Sequence, residues 1–137
     1  MIDGRAGLRS FLALVPLLLI GATPASPPVI IGKAGPDLDA CLSVGEVSGF
    51  RDPANSFLSV RAAPDQKARE IDRLKTGHWV VMCDDAKGGA WTGIVYAPGD
   101  DREMDCGTGS PVESERPYEG PCKSGWVSSK YIQIIAG

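Results

Sequence analysis

The sequence lacks the residue patterns that most active sites and metal centres need. It has a single histidine, His78, and no CxxC pair, so the ligand spacing of a zinc finger is missing. The GxSxG, HExxH and phosphate-binding glycine motifs are missing as well, and a cysteine nucleophile would need an exposed thiol with a base beside it. We therefore predict a protein that is not an enzyme and has no metal or cofactor.

Long runs of one kind of charge are also missing. The chain has 14 basic and 17 acidic residues, for a net charge of −3, and the two signs are mixed along it. Because a nucleic-acid-binding domain needs a clustered basic surface, we do not expect nucleic acid as a partner. The one long apolar run, residues 11–20, is shorter than the roughly 20 residues that span a bilayer, so no membrane span is expected.

The apolar run has the flanking residues of a secretory signal peptide. Arginines precede it, and Thr23 and Ala25 occupy the −3 and −1 positions of a cleavage site. We predict a signal peptide over residues 1–25, cleaved near Ala25. Residues 26–37 contain three prolines and two glycines, which predicts a flexible linker. The folded domain is then expected over residues 38–137, in the periplasm or secreted.

Four cysteines lie in the part expected to be exported: Cys41, Cys83, Cys106 and Cys122. An even number in an oxidising compartment predicts two disulfides, and four cysteines allow three pairings among which the sequence does not strictly choose. We favour Cys106–Cys122, because these residues bracket a polar segment too rich in glycine and proline to hold its own shape. The remaining pair is then Cys41–Cys83.

Short apolar runs between turn residues predict an all-β fold. The predicted strands are residues 41–47, 57–61, 78–83, 90–96, 125–129 and 131–135. Residues 67–74 are too short for a stable helix, and we interpret them as an extended or turning segment. The chain has no alternation of strands and helices, which favours a small barrel or sandwich.

Four motifs between residues 57 and 132 resemble, in order and spacing, those of a bacterial SH3-like (SH3b) domain. They are FLSVRAAP, IDRLKTGHWVVM, AWTGIV and SGWVSSKYI, which together cover roughly residues 57–132. The cysteines and the phrases CGTGSP and GPCKSGW look like a secreted proteobacterial subgroup of that family. The resemblance implies a small, partly open SH3-like β-barrel of five to seven short strands. Residues 97–121 would be a long inserted loop, which we call the disulfide loop.

The resemblance also implies a binding function. Such barrels commonly act as binding or targeting modules, often attached to enzymes that cut bacterial cell walls. We therefore expect an exported, non-catalytic module that binds cell-wall (peptidoglycan) peptide or another envelope ligand in an aromatic-lined groove. The expected groove residues are Trp91, Trp126, Tyr131 and Ser128. Ser128 stands where eukaryotic SH3 domains have a proline, which argues against binding of PxxP peptides. A packing role for Trp126 remains open.

A second interpretation places the function on the disulfide loop. Here the chain would be a periplasmic protein-interaction or inhibitor domain, and its contact residues would be Glu113, Glu115, Arg116 and Tyr118. Retention on peptidoglycan would favour the groove. Capture of an envelope protein that depends on the loop would favour the second interpretation. Both interpretations expect a monomer.

Overall fold

The computed structural model describes residues 4, 7, 10–17 and 26–137. The predicted cleavage site near Ala25 and most of the predicted signal peptide lie outside the described residues. The nine strands of the described part are β1 (Ile30–Ile31), β2 (Ser43–Val47), β3 (Phe57–Arg61), β4 (Glu70–Lys75), β5 (Trp79–Ala86), β6 (Trp91–Tyr96), β7 (Arg116–Pro117), β8 (Lys123–Ser128) and β9 (Ile132–Ala136). Single turns of 3-10 helix lie at Pro53–Asn55, Lys87–Gly89, Pro98–Asp100 and Ser129–Tyr131.

Seven of these strands form one antiparallel sheet in the order β4-β3-β8-β6-β5-β2-β9, and β1 pairs with β7 in a separate small sheet. The all-β prediction is therefore confirmed. The large sheet is not closed, which is consistent with the expected partly open barrel. The segment predicted as extended or turning contains β4, which pairs with β3 so that Leu58 lies opposite Leu74.

The main core fills the inner side of the large sheet. It contains Val47, Leu58, Val60, Leu74, Val80, Ile94, Tyr96 and Val127. Strand β3 shows why the sequence folds this way: the buried Leu58 and Val60 alternate with the polar Ser59 and Arg61, so one face of the strand packs into the core. Burial of each such side chain contributes about 1.5–3 kcal/mol.

A second, smaller apolar cluster lies on the outer side of β5. Ile31, Ala40 and Cys41 are buried there, with Val81 and Tyr118 packed against them. This cluster joins the N-terminal segment and the disulfide loop to the sheet. These two segments therefore cover the outer face of β5.

The structure differs from the predicted flexible linker in the segment that leads into this cluster. Val29 and Ile31 are 2% and 3% exposed, and Ile30 and Ile31 form β1. The proline and glycine content of residues 26–37 led to the linker prediction, but Val29 and Ile31 carry apolar surface that the outer face of the sheet can bury. We call residues 26–33 the arm.

Both favoured disulfides are formed, Cys41–Cys83 and Cys106–Cys122. Two disulfides indicate an oxidising, extracytoplasmic environment. In the described ranges, no helix has the length and apolar character needed to cross a bilayer.

Candidate functional site

Three of the four predicted groove residues share one face of the sheet. Trp91 on β6 lies directly opposite Ser128 on β8, and Gly93 lies opposite Trp126. Residues that face each other across a strand pair point to the same side of a sheet. Trp91, Ser128 and Trp126 therefore lie on the outer face.

The arm covers Trp126 on this face. The tryptophan is 4% exposed, and its indole N–H donates a hydrogen bond to the carbonyl oxygen of Pro27 at 2.9 Å. Val29 packs beside it over Gly93, where a Cβ would lie 3.1 Å from Val29 Cγ1 and 3.3 Å from Trp126 Cζ3. Glycine at position 93 therefore permits the close approach of the arm. The structure differs here from the prediction that Trp126 lines an open groove, because the chain's own arm covers its ring.

Tyr131 lies in the 3-10 turn that follows β8 and packs against the main core. Its ring stacks on Phe50, with the ring centroids 4.4 Å apart and the ring planes 9° from parallel. One face of Tyr131 is therefore occupied by another side chain. Trp91 and Ser128 are half-buried.

Tyr118, a predicted contact residue of the disulfide loop, has a structural role. Its hydroxyl donates a hydrogen bond to the carbonyl oxygen of Cys106 at 2.7 Å and accepts one from the backbone N–H of Cys122 at 3.1 Å. Its own backbone N–H donates to the carbonyl oxygen of Val29 at 2.9 Å. Tyr118 thus connects both cysteines of the Cys106–Cys122 disulfide to the arm.

The other three predicted loop residues, Glu113, Glu115 and Arg116, are exposed. The backbone beside them is held on two sides: Arg116 pairs with Ile31 in the small sheet, and the Ala40 N–H donates to the carbonyl oxygen of Ser110 at 3.0 Å. The loop therefore presents charged side chains from a fixed backbone.

The first part of the disulfide loop is fixed by Arg102. Its guanidinium carbon lies 4.0 Å from the ring centroid of Trp79, within the range of a cation–π contact. The guanidinium group of Arg102 also donates a hydrogen bond to the carbonyl oxygen of Gly77 at 3.1 Å and forms a salt bridge with the Asp100 carboxylate at 3.0 Å.

Sequence analysis missed Asp84, which anchors the arm. Its side chain is 6% exposed. One carboxylate oxygen accepts the backbone N–H of Ile30 at 2.9 Å, and the other pairs with Lys33 Nζ at 2.7 Å. The hydrogen bond from Lys33 to this carboxylate raises the pKa of Lys33. No local pattern indicates this role, since Ile30 and Asp84 are 54 residues apart.

Sequence analysis also missed a polar cleft of about 480 Å³ between β4 and the turn at Pro98–Asp100. In it, one oxygen of Asp72 accepts the Tyr96 hydroxyl at 2.8 Å and lies 3.4 Å from Lys123 Nζ. The His78 Nε2–H donates to the carbonyl oxygen of Ala97 at 3.1 Å. The cleft is built from three strands that are separate in the sequence, so strand patterns could not reveal it.

Two carboxylates in this cleft have lowered pKa values. For Asp72, partial burial raises the pKa, but hydrogen bonds from the Arg73 backbone N–H and the Tyr96 hydroxyl outweigh it. Asp100 behaves alike: burial raises its pKa, but hydrogen bonds from the Trp79 backbone N–H and from Arg102 outweigh this effect and lower it. Burial and the neighbouring Asp72 carboxylate raise the pKa of Tyr96.

We expect stability to fall on acidification because of Asp72. A carboxylate with a lowered folded-state pKa stabilises the fold above its unfolded value, which for Asp72 is 3.8, and this contribution is lost as the pH falls through the lower folded value. In urea unfolding at pH 7 and pH 3, Asp72→Asn should reduce the difference in stability between the two conditions. Asp37→Asn, at an exposed position, is the control. An equal effect of both variants would contradict this assignment.

Among residues 4, 7, 10–17 and 26–137, no three His, Cys, Asp or Glu side chains are placed to hold a metal ion. The four cysteines Cys41, Cys83, Cys106 and Cys122 are all in disulfides. No known protein family, curated protein or solved structure matches this chain.

Proposed function

We propose that this chain is a non-catalytic binding domain that contacts a protein partner through the disulfide loop. The observation that carries this proposal is the contrast within the loop between a fixed backbone and exposed charged side chains. The disulfide, the small sheet and Tyr118 hold the backbone. A surface that is ordered before binding loses less conformational freedom on association, which favours affinity.

The charge of the loop indicates the chemistry of the partner. Glu113, Glu115 and Glu119 are exposed around Arg116, so this part of the loop is acidic overall. A basic patch on the partner would be attracted to it and oriented by it. We therefore assign Glu113 and Glu115 as the main contact residues, and Tyr118 as the residue that positions them.

An extracytoplasmic location fits this role. The two disulfides are compatible with an oxidising compartment, and we propose that residues 1–25 are the signal peptide that directs the chain to the periplasm or the medium. A preformed loop closed by a disulfide would keep its shape there without a chaperone or ligand.

A second candidate function is recognition of peptidoglycan peptide on the outer face. Trp91 and Ser128 favour it, because they lie directly opposite each other and are only half-buried. Trp126 and one face of Tyr131 are occupied by other parts of the chain, so this surface would be smaller than a four-residue groove.

A binding experiment with charge-reversal variants tests the first function. The oxidised protein is incubated with periplasmic extract and, separately, with purified peptidoglycan, and the captured protein partner is identified and its affinity measured. Glu113→Lys with Glu115→Lys should weaken that affinity about tenfold or more, which corresponds to about 1.4 kcal/mol.

The matched control is Asp52→Lys with Asp65→Lys, which changes the net charge equally at two exposed positions outside the loop. Equal losses in both double variants would indicate a general charge effect and contradict the loop assignment. Retention on peptidoglycan that Trp91→Ala abolishes would instead support the second candidate.

A further inference from the structure

The arm is bound on the outer face by contacts at successive residues. Trp126 binds the carbonyl oxygen of Pro27, the space over Gly93 holds the side chain of Val29, and Asp84 accepts the next backbone N–H along the arm. We call the surface formed by Asp84, Gly93 and Trp126 the arm site. It has the features of a site for an extended peptide, in which backbone hydrogen bonds alternate with a side-chain pocket.

The arm is not part of the seven-stranded sheet. It forms strand pairs only with β7, so its departure would break no hydrogen bond between strands of the main sheet. The arm also leaves part of its surroundings unfilled: a cavity of about 230 Å³ lies beside it, lined by Pro27, Pro28, Ala62, Arg69 and Ile71 among others. The arm therefore lies on the domain as a separate layer.

A short segment connects the arm to the domain. Residues 34–37, Ala-Gly-Pro-Asp, lie between Lys33 and the buried Ala40 and are exposed except for the half-buried Gly35. Gly35 has a φ of 104°, which favours glycine. The turn is closed by long hydrogen bonds, 3.2 Å from Gly35 N to Gly32 O and 3.4 Å from Leu38 N to Gly35 O. A change of backbone angles here would direct the arm away from its own domain.

We propose that the arm site also binds the arm of a second copy of this chain, giving a dimer with exchanged arms. The arm already bound there defines the sequence that the site fits, and a second copy carries the same sequence. Exchange keeps the contacts between the arm and the arm site and changes only which chain supplies them. It gives up only the long turn hydrogen bonds from Gly35 N to Gly32 O and from Leu38 N to Gly35 O, so its cost is low. Exchange competes with docking of the arm on its own chain. A short linker keeps the arm at an effective concentration in the millimolar range near its own arm site. Exchange is therefore expected where the local concentration of the protein is high.

The exchanged dimer would bring two disulfide loops into one particle. Each β7 would pair with the β1 of the other copy, since Ile31 lies opposite Arg116 in the small sheet. This inference does not depend on the proposed function, because it concerns only the arm and its site.

Two variants with complementary defects test the exchange. The first carries Val29→Asp, which places a carboxylate where the arm buries an apolar side chain and leaves the arm site intact. The second carries Gly93→Val, which blocks the arm site and leaves the arm intact. Both are expressed with the full chain and recovered oxidised. Each should be monomeric alone in light scattering. A mixture should give a 1:1 dimer of twice the mass, in which the second chain's arm occupies the first chain's site.

The control is a chain with both substitutions, which should form no dimer with either single variant. A mixture that remains monomeric while both chains keep their β circular dichroism would overturn the proposal. Binding of a synthetic peptide of residues 26–33 to the Val29→Asp chain without dimer formation would also overturn it, because the site would then accept the segment but not from a second copy.

Unsubstituted chains provide a test that does not depend on the folding of a variant. Refolding at millimolar concentration, with the disulfides intact, should give a dimer, and refolding in dilute solution should give a monomer. An excess of the peptide of residues 26–33 during refolding should suppress the dimer. Monomer at both concentrations would contradict the exchange.

Discussion

Replacing Cys41 and Cys83 by alanine is expected to lower the free energy of unfolding by about 4 kcal/mol, because a disulfide that closes a long loop restricts the unfolded chain most. The two residues are 42 positions apart, and they join the segment before β2 to the middle of β5. Cys41 is also buried in the outer cluster beside Ile31. A loss of this size is a large share of the stability of a small domain.

Urea unfolding monitored by tryptophan fluorescence measures this effect. The matched variant replaces Cys106 and Cys122, which are 16 positions apart, and should cost about 3 kcal/mol by the same relation. This second change should release the disulfide loop and weaken partner binding while the large sheet stays folded. A larger loss of unfolding free energy for the Cys106 and Cys122 variant than for the Cys41 and Cys83 variant would show that loop length does not determine the stabilisation by these disulfides.

Much of the main sheet could be predicted because its signals are local. Leu58 and Val60 alternate with Ser59 and Arg61 in β3, and the turns between strands are marked by glycine, aspartate or proline. The disulfide pairing was favoured on similar grounds, since Cys106 and Cys122 bracket a segment that could not order itself. In each case neighbouring residues in the sequence carry the information.

The outer face could not be predicted because its contacts join distant parts of the chain. The hydrogen bond from Trp126 to Pro27 spans 99 residues, so the pattern around Trp126 could not decide between packing and ligand binding. The end of β5 also depends on distant contacts. The sequence predicts that this strand ends at Cys83. The strand continues to Ala86, because Asp84 pairs opposite Gly93 and binds the arm.

The second large effect is expected at Trp126. Trp126→Ala should lower the free energy of unfolding by about 3–5 kcal/mol, as is usual when a buried aromatic side chain is removed from a packed site. The ring is 4% exposed and is covered by the arm, which it binds at Pro27. Movement of the arm would therefore be needed to fill the cavity that removal of the ring leaves. Trp126→Phe keeps most of the ring and removes the hydrogen bond to Pro27, which should cost about 1 kcal/mol.

Trp79 provides the matched control, since it is a strand tryptophan that is 39% exposed and contacts Arg102 from one side. Trp79→Ala should cost about 1 kcal/mol or less, the range of an exposed cation–π contact. Limited proteolysis would show where each effect acts: Trp126→Phe should increase cleavage within residues 26–33, and Trp79→Ala should not. Equal losses for Trp126→Ala and Trp79→Ala would mean that the arm does not seal Trp126. The interpretation of this residue as part of an open ligand groove would then be preferred.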